Sequence, residues 1–344
     1  MQSSGAAPKR MSETRLSLRD IETLARNVLS ASGASGLQLD ALTSSIVDAE
    51  ADGIRTVGLG FLLIYCEQLR SGKIDGRAVP EPREIKPSHL TINAKNGFAH
   101  AAFLHGLESW CEMAERQGTA TLTISHSNSA GVLSWFVEKV ARRGLICLAF
   151  ANASAMMPPV GGNEPFHGTN PLAFACPRRS PRPPLVIDLA TSQTAYVTIK
   201  QRADAGESIP ENWGLDANAQ PTTDPNDVVN GGMVAPLGGE KGALLALMVD
   251  ILAGGLAGPN FSYQAGSLIT GDGEEAGIGQ CFIAIAPPND HFAERVEALL
   301  EAMSEAGTTR LPGQRRIDAR VKAEQGGVSV PDTLLEALER YSRP

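Results

Sequence analysis

The chain has few cysteines, and their arrangement argues against both a disulfide-stabilised domain and a zinc-binding domain. The five cysteines among 344 residues are odd in number, lie far apart and include no C-x-x-C pair. The six histidines show no H-x-x-x-H spacing. A disulfide framework needs a dense, even set of cysteines, and a zinc site needs Cys or His ligands at short spacing. We therefore predict no metal site, and the isolated cysteines fit the reducing cytoplasm.

Long apolar runs and an excess of positive charge are also missing. No uninterrupted apolar run reaches the roughly 18 residues that a membrane-spanning helix needs. Residues 1–15 lack the apolar core of a signal peptide, so we interpret them as a disordered leader. The net charge of −8 argues against nucleic-acid binding, which depends on dense Lys and Arg contacts to phosphate. We expect neither a membrane nor a nucleic acid as a partner.

Common fingerprints of nucleotide binding and hydrolysis are absent as well. The glycines of VGLGFL and GDGEEAG do not have G-x-G-x-x-G spacing, and no phosphate loop or G-x-S-x-G turn occurs. These absences argue against a Rossmann site, a P-loop and an α/β-hydrolase. Two other glycine-rich turns, PVGGNEPFHGTNP and PLGGEKGA, can present backbone N–H groups to an anion, and Lys241 adds positive charge to the second.

Hydrophobic spacing divides the chain into three parts. Ser17 begins the first of several predicted helices, and the last helix of this part ends at Gly118. From residue 119 to 288, short apolar strands alternate with helices, which is typical of an α/β or α+β domain. Residues 289–344 return to amphipathic helix, and we expect them to pack back onto the helices of residues 16–118.

Two polar side chains stand out in this central part. Asp188 interrupts the apolar run VIDLATS, and a buried carboxylate needs a partner or a chemical role. A structural alternative is that it caps a helix beginning near Ser192. His167 lies beside the stiff turn of residues 168–171, where Gly and Pro restrict the backbone. It is therefore a better candidate for function than the other histidines.

Four motifs, in order, resemble the malate/L-lactate dehydrogenase family with the non-Rossmann fold. They are GTNPLAFACP, VIDLATS, IPENWGLDANAQPTTDP and PLGGEKGALLALMVDIL, within a similarity extending from about residue 15 to 340. That family includes Δ1-pyrroline-2-carboxylate and Δ1-piperideine-2-carboxylate reductases and sulfolactate dehydrogenases. The resemblance implies an NAD(P)H-binding α/β domain at residues 119–288, inserted in a helical substrate-binding and dimerisation domain of residues 16–118 plus 289–344. It also implies a homodimer with its active site between domains and subunits.

The resemblance further implies roles for individual residues. Thr169 lies near a substrate carboxylate, with Asn170 and Arg55 as further substrate contacts. The expected catalytic residues are Asp188, which matches an aspartate that orients a histidine, Thr56 and His167. NADPH is the expected cofactor, with NADH as the alternative, although the sequence shows no 2′-phosphate clamp. The expected cofactor contacts are Ser129, Ala130, Gly131, Val132, Leu133, Asp188, Leu189, Ala190, Thr191, Ser192 and Lys241, and Lys200 and Arg202 are further available cations.

The chain departs from the family's usual pattern in two segments. Relatives have Ser-His-Gly, with a proton-donating histidine, where this chain has Thr56 and Val57 before a glycine. An arginine that often contacts substrate falls near Phe61, and Ser129 replaces the histidine of a Ser-Asn-His segment. Three explanations remain open: a lost activity, another proton donor such as His167 or water, or a substrate that needs less help.

The missing histidine bears on the substrate. Reduction of a ketone leaves an alkoxide that needs a proton, whereas a cyclic imine can enter already protonated and leave as a neutral amine. We therefore predict an NAD(P)H-dependent reductase of small cyclic ketimine carboxylates, which yields L-proline or L-pipecolate. The alternatives are a 2-hydroxy acid dehydrogenase of the sulfolactate, malate or lactate type, and a non-catalytic nucleotide-binding relative.

Overall fold

A mixed sheet lies at the centre of the molecule. The computed structural model describes residues 12–258, 260–289 and 291–342. The strands are β1 (Glu13–Leu16), β2 (Glu81–Lys86), β3 (His89–Asn93), β4 (Thr119–Ser127), β5 (Ile146–Ala151), β6 (Leu172–Cys176), β7 (Leu185–Leu189), β8 (Gly214–Leu215), β9 (Pro221–Thr222), β10 (Met233–Val234), β11 (Ile278–Ile285) and β12 (Val328–Pro331).

Helices surround this sheet. They are α1 (Leu18–Ala31), α2 (Gly36–Ala51), α3 (Leu59–Ser71), α4 (Ala99–Gln117), α5 (Leu133–Ala141), α6 (Tyr196–Ala205), α7 (Pro225–Val229), α8 (Glu240–Val249), α9 (His291–Glu305), α10 (Gln314–Gly326) and α11 (Asp332–Tyr341). Short 3₁₀ turns occur at Arg55–Val57 and Ser262–Gln264, and α8 continues into a π-helical segment at Asp250–Gly255. Among the described residues, no helix is both long and apolar enough to cross a membrane.

The strand order supports the predicted fold class. The central sheet has the order β2-β3-β4-β11-β5-β6-β7. Strands β3 and β4 pair in parallel, and the other neighbouring pairs are antiparallel. A Rossmann sheet consists mostly of parallel strands joined by crossover helices. The prediction of a mixed α/β fold without a Rossmann sheet is confirmed.

Local sequence signals place several helix ends correctly. The Ser17 hydroxyl accepts a hydrogen bond from the Asp20 backbone, and the Asp20 carboxylate accepts one from the Ser17 backbone, which makes a capping box before α1. Gly118 takes a left-handed conformation (φ +82°) and ends α4. The Pro-rich segment AVPEPREIKP contains β2, whose residues are all exposed. An edge strand of this kind shows no apolar alternation and tolerates Pro82.

Two large hydrophobic cores hold the elements together. In one, Phe103 of α4, Phe136 of α5 and Phe282 of β11 pack at ring-centroid distances of 5.0 to 5.4 Å. The other joins α1, α2 and α3 to α10 and α11, with Ile21 and Leu338 fully buried. Helices α10 and α11 thus pack on the N-terminal ones, as expected, whereas Glu297 of α9 pairs with Arg178 and Arg182 of the central part. The domain boundaries stay a prediction, and the central sheet takes β2 and β3 from the N-terminal side of residue 119.

The predicted leader is too long at its C-terminal end. Residues 1–11 lie outside the described residues. Strand β1 includes residues 13–15, which pair antiparallel with β12 near the C-terminus. The Thr14 hydroxyl also donates to Asp332 at 2.7 Å. Assigning residues 13–15 to a disordered leader was wrong, because their partner strand is about 300 residues away in sequence and leaves no local signal.

Candidate active site

A cavity with a volume of about 1120 Å³ is present in the described part of the chain. Typical small-molecule pockets measure about 300 to 1,000 Å³, so this one has room for a dinucleotide and a small substrate together. Its lining comes from distant stretches of the chain: residues 52–61, 129–134, 153–156, 169–171, 186–190, 195–197, 268–269 and 310–322. The fold therefore assembles the cavity from both hydrophobic cores.

About half of the predicted site residues line this cavity. They are Thr56, Ser129, Gly131, Val132, Leu133, Thr169, Asp188, Leu189 and Ala190. The others, which are not part of the lining, are Arg55, Ala130, His167, Asn170, Thr191, Ser192 and Lys241. The roles of both sets stay predictions, and the contacts of the second set are as follows.

His167 is engaged inside the protein. Its ring is 3% exposed, and its Nδ1 lies 2.9 Å from Oδ2 of Asp250, in the π-helical segment after α8. The other oxygen of Asp250 accepts hydrogen bonds from the backbone and hydroxyl of Ser262. Its position argues against the predicted role as a proton donor to substrate. His167 instead ties the turn of residues 168–171 to the end of α8.

Asn170 is also structural. Its Oδ1 accepts hydrogen bonds from the Ala153 backbone and the Ser262 hydroxyl, and its Nδ2 donates to the Ala246 carbonyl at 3.0 Å. No polar atom of this buried side chain is left for a substrate. Thr169 differs, because it lines the cavity and its hydroxyl has no hydrogen-bond partner among residues 12–258, 260–289 and 291–342.

Five further predicted residues also lie outside the cavity lining. Thr191 and Ser192 are buried and donate their hydroxyl hydrogens to backbone carbonyls. Ala130 packs in a hydrophobic core. Arg55 and Lys241 are exposed outside the cavity lining. A motif places a segment near a site, but the backbone conformation decides which of its side chains face the ligand.

Asp188 faces the cavity from the end of β7. Its Oδ2 accepts a hydrogen bond of 2.7 Å from the backbone of Ser134, in the first turn of α5. Asp188 therefore caps a helix, as the structural alternative predicted, but that helix is α5 and not one that begins near Ser192. The carboxylate is open to the cavity, while protein surrounds it on its other sides. Desolvation raises the pKa of Asp188, and the hydrogen bonds from Ser134 oppose that shift.

Glu50 supports the turn that carries Thr56 and Val57. Its Oε1 accepts a 2.7 Å hydrogen bond from the backbone of Leu59, at the start of α3. Burial raises the pKa of Glu50, and this hydrogen bond lowers it. A Cβ atom at Gly58 would lie 2.3 Å from the Glu50 carboxylate oxygen, so the close approach of this carboxylate requires glycine.

One end of the cavity is apolar. Val57 and Phe61 lie one turn apart at the start of α3 and line the cavity together with residues 268–269. Ile269 packs on the same hydrophobic cluster as Phe61. Gln68 holds residues 268–270 in place, because its Nε2 donates hydrogen bonds of 3.2 and 2.9 Å to the backbone carbonyls of Leu268 and Thr270. None of the side chains of this apolar end carries a charge.

Another part of the lining, called here the cationic wall, contains three cations that the sequence analysis missed. Arg310, Arg315 and Lys322 line the cavity from α10 and the turn before it, and they form no ion pair within the described ranges. Such unpaired cations suit phosphate groups. Lys200 and Arg202, by contrast, pair with Asp204 and Glu207 outside the lining. A dense basic run between residues 310 and 322 was the available signal.

The cavity thus fits a nicotinamide dinucleotide. It is large, one wall has unpaired cations, and the first turn of α5 borders it. In the described chain, no group of three or more His, Cys, Asp or Glu side chains could hold a metal ion. The residues available to a bound cofactor and its substrate are therefore those of residues 129–134 and 186–190 together with the cationic wall.

Comparison with known proteins agrees with this geometry. The family model described as malate/L-lactate dehydrogenase matches residues 16–339. The chain is 40% identical to the (2R)-3-sulfolactate dehydrogenase (NADP(+)) of Chromohalobacter salexigens, over 95% of this chain and 98% of that protein. It is 34% identical to the Δ1-pyrroline-2-carboxylate/Δ1-piperideine-2-carboxylate reductase of Pseudomonas putida, over 97% of this chain and 98% of that protein.

A solved structure shows the same fold. The Δ1-piperideine-2-carboxylate reductase from Pseudomonas syringae pv. tomato superposes with a TM-score of 0.90 at 33% identity, covering 95% of this chain and 99% of that one. These relatives are named as a dehydrogenase and as reductases, and the name of the sulfolactate dehydrogenase includes NADP(+). The chain belongs to the malate/L-lactate dehydrogenase family and is an oxidoreductase that uses a nicotinamide cofactor.

Proposed function

We propose that the protein reduces small cyclic ketimine carboxylates such as Δ1-pyrroline-2-carboxylate and Δ1-piperideine-2-carboxylate. The observation that carries this proposal is the apolar end of the cavity, formed by Val57, Phe61 and residues 268–269. The ring methylenes of a cyclic imine gain from contact with such a surface, at about 0.8 kcal/mol per buried CH₂. A second charged group on the substrate would lose its hydration there without gaining a partner.

The turn at the start of α3 also suits a substrate that brings its own proton. Thr56 and Val57 have no group that titrates near neutral pH, and His167 is held by Asp250 away from the cavity. A nicotinamide supplies the hydride when bound. The chain's own residues then need to orient the substrate and exclude water, since a protonated imine becomes a neutral amine without an added proton.

Sulfolactate dehydrogenase activity is the second candidate. The 40% identity to the enzyme of Chromohalobacter salexigens favours it. A sulfonate needs cationic partners, and the cations of the lining that are free to bind an anion are Arg310, Arg315 and Lys322 on the cationic wall. In the ketimine proposal those three side chains bind cofactor phosphates, so the two candidates assign the same cations to different anions.

A substrate panel tests the proposal. We expect the parent to oxidise NADPH with Δ1-pyrroline-2-carboxylate or Δ1-piperideine-2-carboxylate and to reduce sulfopyruvate, oxaloacetate and pyruvate poorly. The double substitution of Thr56→Ser and Val57→His should raise the rate of 2-oxo acid reduction, because a positioned general acid contributes on the order of 10²–10⁴-fold. Imine reduction should change much less.

The kinetics also show what would defeat the ketimine assignment. If the parent reduces sulfopyruvate faster than either imine, the second candidate is correct. If it reduces another 2-oxo acid fastest, both candidates are wrong. If NADPH binds but no imine or 2-oxo acid is reduced, the protein is a non-catalytic relative. A matched replacement, Val79→His at a 72% exposed position outside the cavity lining, controls for the effect of adding an imidazole.

We further propose that the cofactor is NADPH. Arg310, Arg315 and Lys322 provide cations without ion-pair partners in the described chain, and a 2′-phosphate adds charge for them to bind. We expect Arg315→Ala to raise the Kd of NADPH about tenfold and to leave that of NADH nearly unchanged. Arg83→Ala, on exposed edge strand β2, is the control. Equal losses for both cofactors would remove Arg315 from the 2′-phosphate site.

The proposal includes a homodimer. Helix α8 buries Ala243, Ala246 and Val249, yet its other face is also apolar. Exposed on that face and its extension are Leu244 (55%), Leu247 (43%), Met248 (39%) and Ile251 (56%). A helix that is apolar on all sides belongs in a protein interior or an interface. A second copy of this chain is the proposed occupant, as the family resemblance implies.

A further inference from the structure

Ser129 lines the cavity and is held in an unusual hydrogen-bonding position. Its Oγ accepts one hydrogen bond from the Tyr65 hydroxyl and another from the backbone of Gly131, both at 3.1 Å. A serine oxygen has two lone pairs, so both are occupied. Its own hydroxyl hydrogen has no acceptor within residues 12–258, 260–289 and 291–342, and the open direction is the cavity.

The direction of the first hydrogen bond follows from burial. Tyr65 is 1% exposed, and no other acceptor for its hydroxyl hydrogen occurs in the described chain. Donation in the reverse sense would leave a buried phenol hydrogen unpaired, which costs about 1–3 kcal/mol. Burial also raises the pKa of Tyr65 to about 12, so the phenol keeps its proton. Tyr65 therefore donates, and Ser129 can only donate onward.

The surroundings place this hydroxyl beside the apolar end of the cavity. The Tyr65 ring packs edge-on against Phe61, with a centroid distance of 4.9 Å. Gly131 has φ +58°, and a Cβ there would lie 3.5 Å from His100 Nε2 and 3.9 Å from the Tyr65 oxygen. The turn thus stands directly over buried rings, so a change of backbone at residues 129–131 is resisted.

We propose that the Ser129 hydroxyl donates a hydrogen bond to a carboxylate oxygen of the substrate, with Tyr65 as its positioning residue. This inference rests on the proposed function, and it explains how a carboxylate is held although the arginine that the family resemblance places near Phe61 is missing. Neutral donors, Ser129 and the free hydroxyl of Thr169, replace a cation. The substrate's carboxylate then meets Ser129 while its ring meets Phe61.

Binding of a non-reducible analogue tests this without turnover. The probe is pyrrole-2-carboxylate, a planar five-membered ring with the same carboxylate, titrated into the full-length NADP⁺ complex. We expect Ser129→Ala to raise its Kd at least tenfold and the Kd of NADPH less than twofold. Ser129→Thr, which keeps the hydroxyl, should bind the probe within threefold of the parent. Ser129→Cys, a weaker donor of similar size, gives a second measurement if the alanine variant does not fold.

A double-mutant cycle isolates the role of Tyr65. Tyr65→Phe should raise the Kd of the probe several-fold in the parent and have no further effect in the Ser129→Ala background. Equal effects in both backgrounds would mean that Tyr65 acts only through stability. If Ser129→Ala weakens NADPH but not the probe, the hydroxyl serves the cofactor and the inference is wrong. The substrate panel decides which double bond is reduced, so either proposal can fail alone.

Discussion

At the scale of single residues, Asp188 both lines the cavity and stabilises the start of α5. It accepts the Ser134 backbone hydrogen bond in the first helical turn, where a carboxylate also interacts favourably with the helix dipole. Desolvation nevertheless raises the pKa of its carboxyl. The ionised form is thus tolerated at this position at some cost to folding, which is a common compromise where a charged group faces a ligand.

The raised pKa of Asp188 predicts a pH-dependent effect of Asp188→Asn. A carboxyl whose folded pKa lies above its unfolded value of about 3.8 stabilises the fold most below that pH, and this contribution is lost as pH rises. Asparagine does not titrate, and its oxygen can still accept the Ser134 hydrogen bond. The Tm of the variant minus that of the parent should therefore increase from pH 4 to pH 8. A difference that decreases over this range would contradict the raised pKa.

At the scale of elements, α10 is held to the rest of the site by charge. Arg316 is 14% exposed and pairs with Asp52, at 2.8 Å, and with Glu138 of α5. Arg320, one turn further, pairs with Asp52 and Asp48 of α2. Burial alone would raise the pKa of Glu138, but Arg316 and Arg142 hold it below its usual value. The cationic wall of the cavity therefore depends on this cluster.

We predict that Arg316→Met destabilises the protein by about 2–3 kcal/mol at neutral pH, because it leaves two largely buried carboxylates under-paired. The lowered pKa of Glu138 gives stability that is present above pH 4.5 and lost in acid, so the difference between variant and parent should shrink below that pH. Urea unfolding at pH 7 and pH 4 measures both. Arg142→Met is the control, because Arg142 is 55% exposed and its loss should cost less than 1 kcal/mol.

At the scale of the whole molecule, the exposed face of α8 is continuous with an aromatic surface. Phe166, Tyr263 and Phe261 stack with centroid distances of 5.0 and 6.3 Å, and all three rings are partly exposed. Phe261 also contacts the glycines at the end of the π-helical segment. Together these residues make an apolar surface that extends well beyond one helix, as an interface between two copies requires.

If the protein is the proposed homodimer, Leu247→Glu should prevent its association. Two carboxylates brought into a self-complementary apolar contact lose hydration without gaining partners, so the variant should sediment as a monomer at micromolar concentration while the parent is a dimer. Leu299→Glu, at a 62% exposed position on α9, is the matched control and should leave the dimer intact. A parent that sediments as a monomer at all concentrations would contradict the proposal.

The sequence by itself determined the fold class, most helix positions and the family. These depend on signals within a few residues: the capping box at Ser17, the left-handed Gly118, and four motifs in order. It also predicted that Val57 replaces the family's histidine and that the family's arginine is missing near Phe61. Such features are local, because a cap, a turn or a substitution is visible in its own segment.

Only the tertiary structure decided which polar groups face the cavity. His167 is removed from the site by Asp250, which lies 83 residues away in the chain. Ser129 is made a donor by Tyr65, 64 residues earlier. The cations of α10 reach the cavity because Asp52 and Glu138 hold Arg316. Long-range hydrogen bonds and ion pairs leave no periodic trace in sequence, and a side chain's partners, rather than its identity, determine what it can bind.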